Sequence, residues 1–221
     1  MFFGFAVEIG DDSSIKSLGG AEMTTMIFLF IVGLNSFKES FLMMLQNGVS
    51  RLTLFFSTIF TILSTSILMA VVDRFILNIG GLYSDLHENV IVSGMFDMIY
   101  EKRVATMHIV ALNLEAILIM SGLYIAAFSA GYFITTAYYR MNKVTKIVVS
   151  VGVPVLIFVV FPLLSYTAFG KVLAKIVNAL YFALGGEAGN PYNTLLSCVL
   201  FSIVCLGLTW LLVRRAVEKS D

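Results

Sequence analysis

The chain has 221 residues, of which 59% are hydrophobic and 13% charged, and its formal net charge is zero. A water-soluble domain carries about 25% charged residues, so this chain has more apolar surface than a core of its size can hide, and a bilayer is the economical place for it. Charge neutrality argues against nucleic acid as a partner. Long apolar runs without in/out alternation argue against a membrane barrel and for an all-α, polytopic transmembrane bundle forming one domain over residues 1–221.

In chain order, the apolar stretch Met1–Val7 is too short to span and lacks the basic flank of a signal peptide. It reads as the tail of a membrane helix that begins upstream, or as a short interfacial anchor. Five complete spans are expected: about Met23–Phe37 (short unless Gly20–Glu22 join it), Leu52–Val72, Ala105–Tyr138, Ile147–Thr167 and Thr194–Val213. The third exceeds the roughly 20 residues a crossing needs and is expected to project from the membrane. With the N-terminal stub the count points to a six-helix arrangement. Between the spans, Asp73–Arg103, which contains Gly80-Gly81, and Lys171–Leu184 mix apolar and polar residues, as amphipathic surface helices or re-entrant hairpins do.

Loop charges set the expected orientation. Lys38, Arg51, Arg140, Lys143, Lys146, Arg214, Arg215 and Lys219 fall on one side with few acids; Lys16, Arg74, Lys102, Arg103, Lys171 and Lys175 fall on the other among many. The first side, and with it the C-terminus, is expected in the cytoplasm.

The most informative stretch is Gly33–Phe56, GLNSFKESFLMMLQNGVSRLTLFF. Asn47-Gly48 offers a helix stop, and Ser50 can cap a helix that starts at Arg51. Between the two spans a short amphipathic helix is expected, with Phe37, Phe41, Met44 and Leu45 at i, i+4, i+7, i+8 on one face. That stripe could meet lipid, the protein's own helices, or a groove on a cytoplasmic partner.

The pattern FIVGLNSFKESFLMMLQNGVSR resembles the connection between the second and third helices of ABC-2 type permeases, in particular small Gram-positive peptide-exporter permeases such as that of the phenol-soluble modulin exporter. The likeness covers about residues 24–60. It implies a bacterial cell-membrane subunit, homodimeric or paired with a second permease, that exports amphipathic peptides or other hydrophobic compounds. It also implies that cytoplasmic ABC ATPase subunits, which alone bind ATP and Mg, contact Phe37, Lys38, Glu39, Phe41, Met44, Leu45, Gln46 and Arg51. The chain departs from the family pattern at its start, where an interfacial helix and a full first span are absent or reduced. Two rival readings stay open: the substrate-binding membrane subunit of a vitamin importer, and a non-transport membrane protein of the immunity or sensor kind.

The chain contains neither a GxxxxGK[ST] phosphate loop nor an HExxH or CxxC motif, so no cofactor, metal or catalytic residue is expected in it. His87 and His108 read as interfacial residues, and Cys198 and Cys205, which share a helix face, as packing residues. Glu115 is an acid inside an apolar run. It either lies at the outer interface or lines a substrate path, paired with a base such as Arg74. Gly122, Ala126 and Ala130 repeat every four residues and permit close helix approach, within the subunit or at a dimer seam. Pro154 and Pro162 are expected to kink the fourth span.

Overall fold

The computed structural model describes residues 16–86, 90–100, 108–155 and 190–214. The architecture is helical: α1 (Ala21–Gln46), α2 (Arg51–Leu86), a one-turn α3 (Met95–Ile99), α4 (Ile109–Arg140), α5 (Lys143–Val155) and α6 (Pro191–Arg214). Among the described residues the only strands are β1 (Lys16–Gly19) and β2 (Val90–Ser93), which pair in parallel with Lys16 opposite Val90. Four helices, α1, α2, α4 and α6, are long and apolar enough to cross a membrane. The expected span Ile147–Thr167 begins within α5, which contains Pro154; its remainder lies outside the described residues, as do Met1–Val7, Pro162, Lys171–Leu184 and His87.

The four long helices form a bundle with α4 at its centre. Leu29, Ile62, Ala70, Met120, Tyr124 and Phe128 make the middle of the core. Large apolar residues such as Phe60, Phe75 and Leu114 remain on the outside. In a bilayer, lipid tails would be as apolar as those side chains, and helix association there would come from close packing and interhelical hydrogen bonds. The closest approach is between α1 and α4. A Cβ on Gly33 would stand 2.5 Å from the Phe128 carbonyl oxygen, and one on Gly131 would collide with that of Phe30. Nearby, the Thr135 hydroxyl donates to the Leu34 carbonyl at 2.5 Å. The small residues that permit this approach are therefore Gly131, which is buried, and Gly33 opposite it. Gly122 packs internally, since its Cβ would meet Leu195 and Cys198 of α6. Ala126 and Ala130 are half-buried beside Phe201.

Two expected boundaries shift. The helix α2 runs through Gly80-Gly81 to Leu86, giving 36 residues where about 20 would cross. Two glycines inside a helix cost stability but do not end it when the flanking residues continue the pattern. The stretch Leu82–Tyr100 is accordingly not one amphipathic helix. It divides into the end of α2, strand β2 at the β-branched Val90-Ile91-Val92, and α3.

Candidate functional site

Two clusters close opposite ends of the bundle. At the first, α1 continues without a break past Lys38 to Gln46, so the expected separate coupling helix is the last turns of a spanning helix. It stops at Gly48, which has φ +68°, while the Val49 amide donates back to the Met44 carbonyl at 3.0 Å. The Ser50 hydroxyl accepts from the Thr53 amide at 3.2 Å, capping α2 as expected. The guanidinium of Arg51 donates to the Arg214 carbonyl at 2.7 Å, placing a cation at the C-terminal end of α6.

The apolar stripe of this segment faces inward. Phe37 and Phe41 are 0% and 2% exposed. Their rings stack at 5.2 Å, and Tyr132 and Tyr139 meet them edge-on at 5.4–5.5 Å. Leu54 and Val213 complete the cluster, and Met44 packs against it. The expectation that Phe37 and Phe41 present a handle to a partner is therefore corrected: the aromatic residues at the end of α4 already occupy that face. The outward face is Lys38, Glu39, Ser40, Met43, Gln46 and Asn47, all exposed. Leu45 lies on the helix, but its side chain is outside the described residues.

At the opposite end lies a polar cluster that the sequence motifs did not announce. Adjacent residues of α2 face different neighbours, because successive side chains on a helix point about 100° apart. Asp73 accepts from the Tyr124 hydroxyl at 2.5 Å and from Thr25 at 3.1 Å, joining α1, α2 and α4. Arg74 donates from Nη1 to Asp97 Oδ2 at 2.9 Å, from Nη2 to Asp97 Oδ1 at 3.2 Å, and from Nε to Asn113 Oδ1 at 2.8 Å. Asp97 also accepts from the Gly94 amide at 3.2 Å, and Glu22 accepts from the Met95 amide. The Tyr100 hydroxyl meets that of Thr194 at 2.6 Å, attaching the same segment to α6. Buried charges persist only when paired and hydrogen-bonded, and this arrangement pins the 90–100 segment over the bundle end.

Glu115 is buried in the bundle less than two turns into α4, near the helix end. The base expected for it, Arg74, has its ion pair with Asp97. His108 caps α4, its Nδ1 accepting from the Val110 amide at 3.4 Å. Cys198 and Cys205 are free, buried packing residues. Sequence reasoning missed Glu22, Asp73, Asp97 and Tyr124 as a group. The available signal was that Asp73-Arg74 directly abuts an apolar span.

These features define a helical bundle whose long helices have the length and apolarity of membrane spans, sealed by aromatics at one end and by paired charges at the other. No family model matches the chain, nor does any curated protein or solved structure.

Proposed function

We propose that this chain is a membrane-embedded permease subunit of an ATP-driven exporter, coupled to a separate cytoplasmic ATPase through the exposed face of residues 38–51. The observation that carries the reading is the turn between α1 and α2. It is held rigidly by the Gly48 stop and the Ser50 cap, and it presents Met43, 63% exposed, among Lys38, Glu39, Gln46 and Asn47. A rigid protrusion continuous with two spans transmits a push from a soluble motor into the bundle, whereas a loose loop would absorb it.

The basic residues Lys38, Arg51, Arg140, Lys143, Lys146 and Arg214 gather at this same end, which supports a cytoplasmic location for it. The α5 helix starts at this end and α6 starts at the other, in keeping with a further crossing over 147–167. In this reading the aromatic cluster is the joint that passes motion from the turn to α4 and α6. ATP and Mg stay with the partner, and two permease subunits act together. The cargo is amphipathic, a peptide or another hydrophobic compound.

The test uses the tagged chain purified in mild detergent from the cells that make it, followed by assay for associated ATP hydrolysis. Met43→Glu, on the exposed face, is expected to strip the ATPase while the chain elutes unchanged on size exclusion. ATPase retained at the wild-type level by this variant, or none associated with the wild type, would rule the reading out.

A further inference from the structure

Beside the Arg74–Asp97 pair an open groove of about 400 Å³ runs between the outer ends of α2 and α4. Its floor is Arg74, Asp97 and Asn113, and its walls include Leu77, Leu82, Ile109 and Leu112. We infer that this groove binds a single-chain amphiphile whose head is an uncharged hydrogen-bond acceptor, an amide or ester carbonyl, with its tail along the leucine walls. The inference is independent of the permease reading, because it concerns the opposite end of the bundle.

Volume selects the kind of ligand. About 400 Å³ lies within the range of small-molecule sites. A helix is about 10 Å across, so the groove takes an extended chain rather than a helical peptide.

Spare hydrogen-bonding capacity selects the head. A guanidinium has five N–H donors. Arg74 uses Nε on Asn113, turns Nη1 toward both Asp97 oxygens and Nη2 toward one of them, which leaves at least one N–H of Nη2 without a partner among the described residues. The Asn113 side chain accepts from Arg74 through Oδ1, and among the described residues its amide nitrogen has no protein partner. The floor thus offers donors. The Asp97 carboxylate is taken, since it already receives Arg74 and the Gly94 amide, and Asn78 on the wall adds one neutral side-chain amide with both a donor and an acceptor. An ammonium head would find no unpaired carboxylate among these lining residues.

A carboxylate or phosphate head would find no net positive charge to bind. Asp97 neutralises Arg74, and the Glu22 carboxylate sits directly behind the groove-lining Gly94, where a Cβ would lie 3.2 Å from Glu22 Oε2. A neutral carbonyl is the head that uses the donors without needing a net positive charge.

Gly81 supplies the means of testing this. It lines the groove on α2, and a Cβ there meets nothing within 4 Å, so a side chain at this position enters the groove and not the core. Three probes with one twelve-carbon tail bearing a terminal diazirine, namely the amide, the carboxylate and the amine, would be photo-crosslinked to the full chain in phosphatidylcholine nanodiscs. Labelled peptides would then be mapped. The amide is expected to label residues 74–82 and 109–113 about tenfold more than either charged probe, the scale of a hydrogen bond to a charged group. Gly81→Phe is expected to abolish that excess, while Gly207→Phe, on α6 with open space around it, leaves it intact. As a measurement that needs no variant, excess unlabelled dodecanamide is expected to compete on the wild type where dodecanoate does not. Equal labelling by all three heads, preference for a charged one, loss in Gly207→Phe as large as in Gly81→Phe, or competition by dodecanoate would each overturn the inference.

Discussion

The two ends of the bundle solve the same closure problem with different chemistry. At the Gln46 end, Phe37, Phe41, Tyr132 and Tyr139 interlock through ring contacts, so closure depends on shape. At the Glu22 end, Asp73, Arg74, Asp97, Asn113 and Tyr124 are joined by directed bonds, so closure depends on complete pairing. A shape-based closure degrades gradually when atoms are removed. A charge-based closure fails abruptly, because a deleted partner leaves a buried charge behind.

That contrast orders the expected damage. Arg74→Ala strands Asp97 and Asn113 and is expected to cost about 3 kcal/mol, the low end of the range for a broken buried pair, because Asp97 is partly exposed beside the groove. In the double variant Arg74→Met/Asp97→Leu, which removes both charges, most of the loss is expected to return. Equilibrium unfolding in mixed micelles would measure both, and a double variant no more stable than the single one would show that the pair is not what closes this end. Phe37→Ala removes the centre of the aromatic cluster. Its cost is expected to fall below the roughly 3–5 kcal/mol seen for phenylalanine in water-soluble cores, because in micelles the unfolded chain also keeps its apolar side chains out of water. If Phe37→Ala were the more damaging change, the assignment of the two closures would have to be exchanged.

Between the ends, α1 and α4 touch backbone to backbone at Gly33 and Gly131. Gly131→Ala forces a methyl against the Phe30 carbonyl, an atom that cannot rotate away. The expected cost is about 1–3 kcal/mol, the overpacking range. Gly122→Ala is expected to cost less, because the atom it meets first is the Leu195 Cδ1, the mobile end of a side chain, at 2.8 Å. Thermal melts of the two variants in one detergent would rank them.

How much of this was legible follows from sequence separation. The stop at Gly48 and the cap at Ser50 are local, made by residues within a turn or so of each other, and both were readable from Asn47-Gly48 and Ser50. So were the apolar helices themselves, because length and apolarity determine them. The inward turn of Phe37 and Phe41 was not: an i, i+4 stripe looks the same whether it faces a partner or the chain's own α4, and only the placement of Tyr132 and Tyr139 decides. The polar cluster was less legible still. Glu22 meets Met95, and Asp73 meets Tyr124, across long stretches of chain with no motif linking them. Among the small residues, Gly122, Ala126 and Ala130 form a repeat every four residues, yet the backbone-to-backbone crossing is made by Gly131 against Gly33.

The smallest effect separates stability from transmission. Ser50→Ala removes the oxygen that accepts from the Thr53 amide, and loss of such a cap costs about 1 kcal/mol. Ser50 and Thr53 are exposed and belong to neither cluster, so the bundle is expected to melt within a few degrees of the wild type. What the cap holds is the angle at which α2 leaves the Gly48 turn. If that turn is the lever of a motor-driven subunit, Ser50→Ala should leave ATPase association intact but reduce the dependence of ATP hydrolysis on the membrane subunit, whereas Ser50→Asp, which also caps, should restore it. Unchanged coupling in Ser50→Ala would mean that the turn is a tether and not a lever, and that whatever moves the aromatic end acts on it by another route.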